Sequence, residues 1–371
     1  MRHFLRPIEI GGNAVDRLEA VTQSCLEAAR LRADDGTWIF RPDGTGSYPD
    51  RMYLRDFCHA VEGAGHLIPE DEIAAAIDFL ISGQREDGVM PNCVGADGIP
   101  EYVLYGDSPP TDNAQFAVKL IDAYCDLTGD YRLFMRHRNA LMDAMESVPL
   151  GEEALVWIDP ANPHSAYGFT DTVAMSGEVL FPSLLYWEAC MLLAKLCQRV
   201  EDHDGAHQWF EAAEATEKPL RGFRSRRDGM MRAATVDCRQ VDLWGSAYAG
   251  VIRAISKKET VRVGEYLFDR YEECFLHGCM RNIPQPDHWI RMLADYPRGT
   301  HHNGGYWPLA TGWAAMVLDR YDHATAVMLL EDAIDLLEEQ DAPEWISEIE
   351  EIGGKLYLAG PASILAAVKR A

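Results

Sequence analysis

The sequence predicts an all-α fold, an (α/α)6 barrel formed as a single domain over residues 1–371. Apolar residues recur at helical spacing in about twelve segments, with almost no alternating strand pattern. The connectors between them alternate strictly between long and short. Alternate helices differ in character, one set apolar and small-residue rich, the other carrying charged stripes.

The first segment, 13–33, is followed by a long connector, 34–53. The second, 54–67, ends in the tight turn Leu67-Ile68-Pro69-Glu70, and 70–83 leads into a second long connector, 84–111. Segment 112–128 opens on Ala114-Gln115-Phe116-Ala117-Val118 and stops at Thr128-Gly129-Asp130; 130–147 then precedes the long stretch 148–177. Segment 178–199 carries Leu180-Phe181-Pro182-Ser183-Leu184-Leu185, and 203–224 runs into 225–238. Segment 239–255 contains Gly245-Ser246-Ala247-Tyr248-Ala249-Gly250 and ends near Ser256; 258–276 precedes 277–305. Segment 306–319 is apolar, 322–340 carries the acidic stripe from Glu331 to Glu339, and the connector 341–357 leads to a last helix, 358–370.

Short connections make consecutive helices antiparallel, so the six long loops gather at one end. Binding sites are built on such irregular surfaces. An amphipathic hairpin cannot bury its apolar face alone, and six of them stacked side by side can close into a ring. Burial on two sides for the even helices and on one for the odd ones is what an inner and an outer ring require. An open helical solenoid is the competing architecture.

The formal net charge is −25, from 59 acidic and 34 basic residues. That field repels nucleic acid and anionic membranes, so neither is expected as a partner. The N-terminal residues lack the apolar core of a signal peptide, and no uninterrupted apolar stretch is long enough to span a bilayer. The nine cysteines form no Cys-x-x-Cys, and several fall on apolar helical faces. Reduced core thiols and a cytoplasmic location are expected.

The long loops concentrate aromatics and carboxylates: Trp38, Tyr48 and Tyr53; Tyr102, Tyr105 and Asp107; Trp157, Asp159, Tyr167 and Asp171; Trp289, Tyr296 and His301 to Trp307; Glu344, Trp345 and Glu348. Aromatic platforms pack against sugar rings while carboxylates and amides bond the hydroxyls, which points to a carbohydrate site. His301 and His302 are adjacent and lack the spacing of a helical zinc pair, and no His/Cys/Asp cluster has ligand spacing. Neither a nucleophile elbow nor a phosphate-cradling loop is present. No metal or organic cofactor is expected. Glycosidic hydrolysis needs two carboxyls, an acid and a base or nucleophile, but composition alone does not pair them.

Four segments resemble the large glycoside hydrolase clan that includes the α-1,6-glucosidase part of glycogen debranching enzyme, processing α-glucosidase I and mannosylglycerate hydrolase. They are Tyr53-Leu54-Arg55-Asp56-Phe57; Tyr105-Gly106-Asp107-Ser108 with Thr111-Asp112-Asn113-Ala114; Phe169-Thr170-Asp171-Thr172; and His301-His302-Asn303-Gly304-Gly305-Tyr306-Trp307-Pro308. Pro343-Glu344-Trp345 and Tyr357-Leu358-Ala359-Gly360-Pro361 fit the clan's base-bearing tail. The resemblance implies a six-hairpin barrel with Asp171 as general acid and Glu344 as general base. It also implies that Tyr53, Arg55, Asp56, Tyr105, Asp107, Asp112, His301, His302, Asn303, Tyr306 and Trp307 bind the sugar. The last helix departs from the clan's Trp-Ser/Thr-Ala start, and Phe169 stands where a Trp is usual.

Glu178 and Glu348 are the alternative carboxylates. Arg55-Asp56 also reads as a buried ion pair anchoring the ring, and Asp112 as the N-cap of its helix, the slightly preferred reading. The leading expectation is an inverting exo-acting α-glycosidase on a small soluble glycoside or oligosaccharide, whose carboxyls stand roughly 6.5–9.5 Å apart. The alternatives are a sugar epimerase using His288, His301 or His302, an unsaturated-uronyl hydrolase on the same barrel, or an inactive sugar-binding protein. Asp171 and Glu344 precede the third and sixth inner helices, which would face each other across the cavity. Oligomeric state is left open.

Overall fold

The computed structural model describes residues 5–349 and 353–371. Its helices are α1 (Gly12–Ala29), α2 (Leu54–Ala64), α3 (Glu70–Ile81), α4 (Asn113–Thr128), α5 (Arg132–Glu146), α6 (Leu180–Arg199), α7 (His203–Leu220), α8 (Leu243–Val251), α9 (Lys257–Asp269), the single turn α10 (Tyr271–Cys274), α11 (Thr311–Leu318), α12 (His323–Glu339) and α13 (Ala359–Ala367). Helix α2 packs on α4, α4 on α6, α6 on α8, α8 on α11, α11 on α13, and α13 back on α2. The inner ring is therefore closed, which excludes the open solenoid. Outside it, α1 lies on α12 and α13, α5 on α3 and α4, α7 on α6, α9 on α8 and α11, and α12 on α11.

Burial follows the two rings. Every residue of α8 and α11 is buried, whereas α5 buries only Leu133, Phe134, Leu141, Ala144 and Met145. At the short-turn end, side chains satisfy the first amides of the outer helices. Asp202 accepts from Gly205 N at 3.1 Å, Asp322 from Thr325 N at 2.8 Å, and Ser256 forms a capping box with Glu259. Closure between α2 and α13 depends on close backbone approach. A Cβ at Gly63 would lie 1.8 Å from the Ala362 carbonyl oxygen.

Two layers fill the barrel beneath the loops. Tyr167 stacks on Phe181 at 4.0 Å, Phe181 on Tyr248 at 5.0 Å, and Tyr248 meets Trp313 edge-on at 4.9 Å, with His59 against Phe116, Phe169 and Trp313. Deeper on the axis, Lys119 Nζ donates to both oxygens of Glu188 at 2.9 Å and to the Tyr248 hydroxyl at 2.8 Å, and lies 3.1 Å from Glu62. Burial opposes a charged carboxyl at Glu62, yet Lys119 pulls it down to about 2. These four side chains come from α2, α4, α6 and α8, so the inner faces of four staves meet at one point.

Strand content is small, as expected, and confined to short pairs. Twelve strands of two or three residues form five small sheets among the described residues. Helix α1 ends at Ala29, short of the expected 33, and β2 (Arg30–Arg32) pairs with β3 (Trp38–Phe40); within the long loops, β4 (Arg51–Tyr53) pairs with β5 (Cys93–Gly95) and β5 with β6 (Pro100–Glu101), all antiparallel. The same holds for β7 (Trp157–Ile158) with β8 (Gly177–Glu178), and for β10 (Cys279–Arg281) with β9 (Phe275–Leu276) and β11 (Tyr306–Trp307). Loops folded over a barrel mouth bury backbone that needs partners, and pairs this short leave no periodicity to read. Near the two ends of the chain, β1 (Ile8–Ile10) and β12 (Val368–Arg370) pair in parallel. The expectation about apolar stretches needs qualifying. Helix α6 has 20 residues at a mean hydropathy of 1.3, long and apolar enough to cross a membrane, although Glu188 and Lys195 interrupt it and 83% of that window is buried inside the barrel. All nine cysteines are unpaired and buried.

Candidate active site

Asp171 follows a 3-10 turn, Gly168–Thr170, in the loop before α6. Its side chain keeps 17% of its exposure, and burial pushes its carboxyl up to about 7 against the pull of His301 and Arg55. Glu344 precedes α13 and is 7% exposed. Tyr48 donates to Glu344 Oε1 at 2.6 Å, which favours the ionised form. Burial dominates nevertheless and, with the nearby charges of Asp56 and Asp171, pushes Glu344 up to about 8. Asp56, in the first turn of α2, accepts from the Tyr357 hydroxyl at 2.6 Å and is also raised by burial. The three carboxyls thus lie within electrostatic reach of one another although about 290 residues of chain separate Asp56 from Glu344.

The histidines line the same site as neutral rings. Burial holds His301 down to about 2 and His302 down to about 3. His302 Nδ1 shares a hydrogen bond with the Thr172 hydroxyl at 3.1 Å and stands 3.2 Å from Asp171 Oδ1. This short approach is not an ion pair, because the ring is uncharged, and Asp171 Oδ1 is left without a hydrogen-bond partner. His301 has a positive φ of 41°, an uncommon value for a side-chain-bearing residue. That backbone turn stacks its ring on Tyr296 at 4.3 Å with Trp345 edge-on at 5.8 Å. Trp307 lies beneath, stacked on His302 at 4.6 Å, with its indole N–H donated to the His301 carbonyl at 3.2 Å.

Arg55 and Asp112 form a bracket under the loop that carries Asp171. Arg55 Nε and Nη2 donate to the two Asp112 oxygens at 2.6 and 2.7 Å, and the guanidinium also bonds Asn92 and Asn113. Asp112 Oδ2, the oxygen that accepts from Arg55 Nε, also takes the Gly168 N–H at 3.0 Å. The buried partner of Arg55 is therefore Asp112 and not Asp56. Asp112 stands at the N-cap position of α4 without capping it through its side chain, so the slightly preferred capping reading fails. A Cβ at Gly168 would sit 2.0 Å from Arg55 Nε, which explains a glycine there.

Other expected sugar contacts divide. Tyr105 lies half-buried within the field of Asp171 and beside Tyr296, and its loop is tied to the Asp171 segment through Ser165, which accepts from Tyr105 N at 3.2 Å and donates to the Asp171 carbonyl at 2.9 Å. Tyr53 meets Tyr48 edge-on at 5.7 Å near Asp56. Asp107 is exposed. Asn303 spends its amide on the loop, accepting from Trp289 N at 3.2 Å and donating to the Tyr296 carbonyl at 2.9 Å. Tyr306 packs in a satellite cluster with Cys279, Leu336 and Ile346 on the side of α12. Strand alternation along β11 separates it from Trp307. Glu348 is exposed and not helically stacked on Glu344, while Glu178 is half-exposed on β8. His288 is half-buried, its carbonyl accepting from Gln240 at 2.8 Å. Of the two tyrosines that hold two of the three carboxyls, Tyr48 was visible only as a loop aromatic and Tyr357 only as part of the tail segment. Their pairings span 296 and 301 residues and leave no local signal.

The closed inner ring, the outer ring and the gathered loops define an (α/α)6 barrel. Solved structures share this fold. A GH63 mannosylglycerate hydrolase from Thermus thermophilus, in complex with glucose, superimposes with a TM-score of 0.69 at 13% identity, covering 94% of this chain and 99% of that one. Its complex with Tris and D-glycerate gives 0.69 at 14% identity with the same coverage. A structure described as a wild-type glycosidase gives 0.65 at 12% identity over 96% of this chain and 98% of that one. No protein-family model matches the sequence, and no curated protein does.

Proposed function

We propose that this protein is a glycoside hydrolase, an inverting exo-acting α-glycosidase on a small soluble glycoside or oligosaccharide. The observation that carries this reading is the pair of buried, raised carboxyls, Asp171 and Glu344, borne before opposite staves of one ring, with Glu344 raised in part by the charge of Asp171. Asp171, its pKa raised by burial, donates to the leaving oxygen, while Glu344, oriented by Tyr48, activates water from the other face of the ring. Asp56, Tyr53, Tyr105 and the His301–Tyr296–Trp345 group supply hydroxyl partners and apolar platforms. The likeness to structures described as glycosidases, some holding glucose or D-glycerate, supports a small carbohydrate as substrate. A screen of aryl glycosides and natural disaccharides, with the product anomer followed by NMR, tests this directly. Product of unchanged anomeric configuration would overturn inversion. Sugar that is bound tightly and survives prolonged incubation would favour a binding protein.

One observation favours a second assignment of roles. Burial pushes Glu344 higher than Asp171, which suits Glu344 as the proton donor. Substrates with activated leaving groups separate the two assignments, because such groups depart without a proton. The acid-deficient variant keeps turnover on a dinitrophenyl glycoside and the base-deficient variant does not. We expect Asp171→Asn to be the tolerant one. Epimerisation through the histidines is disfavoured because both rings are held neutral and weakly basic. Loss of activity in His302→Ala with retention in Asp171→Asn would reverse that view.

A further inference from the structure

A separate cavity of about 330 Å³ opens between the loops 84–111 and 148–177, and none of Asp56, Asp171 or Glu344 lines it. Its volume falls at the low end of small-molecule sites, enough for a sugar ring. One wall is Trp157, whose side chain is among the most exposed aromatics at 39%. This exposure is built in. Trp157 N donates to the Pro149 carbonyl at 2.9 Å, and the residue pairs with Glu178 across β7–β8, so strand alternation turns Ile158 inward and the indole outward. Val89, Met90 and Pro110 add apolar surface to the lining.

The polar lining is rich in acceptors. Asp159 gives one oxygen to Ala161 N at 2.8 Å and keeps the other. His164 Nδ1 faces the Asn162 carbonyl at 3.2 Å and is therefore the protonated nitrogen, which leaves Nε2 as an acceptor; burial lowers this ring's basicity and keeps it neutral. Ser108 and Asn162 also line the cavity. No lysine or arginine lines the cavity, and the chain carries a net charge of −25, so an anionic ligand finds no counter-charge. A wholly apolar ligand would leave these groups unpaired. An exposed indole sharing one cavity with several acceptor groups fits a ring with one apolar face and several hydroxyl donors.

We propose that the cavity beside Trp157 is a second saccharide site that holds a neutral sugar ring outside the catalytic pocket. Its floor reaches the catalytic loops, since Thr111 donates to the Ala166 carbonyl at 2.8 Å and Asn113, a partner of Arg55, donates to the Met90 carbonyl at 3.0 Å. Occupancy therefore braces the two loops that carry Tyr105 and Asp171.

The test follows the Trp157 indole N–H by heteronuclear NMR, its signal identified by its loss in Trp157→Phe. Glucose, mannose, maltose and sucrose are titrated in turn, with gluconate and cyclohexanol for comparison. At least one neutral sugar should shift this signal saturably, in the wild type and equally in Asp171→Asn, while gluconate and cyclohexanol leave it in place. Asp159→Asn, an exposed and conservative change, should weaken the affinity read at Trp157 about fivefold or more. No saturable shift with any of the four sugars overturns the proposal, as does an equal shift with cyclohexanol or an unchanged affinity in Asp159→Asn. A silent Trp157 in an active glycosidase removes this site alone, and a responsive Trp157 in a protein without hydrolytic activity removes only the catalytic reading.

Discussion

Glu344 and Asp171 each begin from an ordinary carboxyl and are driven upward by burial, to about 8 and about 7. As interacting groups they release their protons in two steps that belong to the pair. One proton therefore remains in the site between those values, the state that acid and base catalysis requires under either assignment. A plot of kcat/KM against pH is expected to be bell-shaped with its maximum between about 7 and 8. An optimum near pH 5 would contradict the electrostatics described. The same shifts act on stability. A carboxyl whose pKa is higher folded than unfolded contributes fully below its unfolded value, 3.8 for Asp and 4.5 for Glu, and loses that contribution as pH rises through the folded value. Thermal stability should therefore fall from pH 5 to pH 8.5, and Glu344→Gln should flatten the decline. Asp171→Asn and Glu344→Gln should each cut turnover of natural substrates by about a hundredfold or more while the fold is kept. Near-normal turnover in either would remove that residue from the mechanism.

Between residue and barrel stands the Arg55–Asp112–Gly168 bracket, which joins the start of α2, the start of α4 and the loop carrying Asp171. Asp112→Ala would leave a buried guanidinium without its carboxylate, at a cost of about 3–5 kcal/mol readable by urea unfolding. Gly168→Ala is the more selective probe. Its methyl group meets the rigid end of a fully engaged side chain at 2.0 Å, so either Arg55 or the loop carrying Asp171 must shift. Misplacement of about 1 Å costs on the order of a hundredfold in rate. The expected outcome is a large loss of kcat with a smaller change in melting temperature. A Gly168→Ala enzyme of normal kcat would show that the bracket does not position Asp171.

At the scale of the whole molecule, stability depends on closing the ring. Gly63→Val drives a branched side chain into the Ala362 carbonyl and should prevent α13 from seating on α2, read as insoluble protein or loss of a cooperative transition. Gly12→Ala, where a new methyl has nothing within 4 Å, serves as the matched change and should be neutral or slightly stabilising. Lys119→Met would strand Glu188 and Glu62 on the barrel axis without their cation, and is expected to destabilise by about 3–5 kcal/mol. Chemical denaturation of these variants separates a structural core from a catalytic one, because none of the three touches the carboxyls at the mouth.

Helix number, alternation of inner and outer staves, and the gathering of long loops at one end were legible because they rest on local quantities: apolar spacing, connector length and turn residues. The segments bearing Asp56, Asp171, His301, His302 and Glu344 were legible through resemblance, and the structure brings them to one mouth. What sequence could not supply was the pairing of side chains. Asp112 looked like a helix cap because it precedes α4, yet its carboxylate is claimed by an arginine 57 positions earlier. Asn303 and Tyr306 lay inside the most specific segment, yet one braces a loop and the other faces α12. Short strands escaped for the same reason. Periodicity along the chain reports which face of an element is apolar, whereas hydrogen-bond partners are chosen by whatever the closed ring brings within reach.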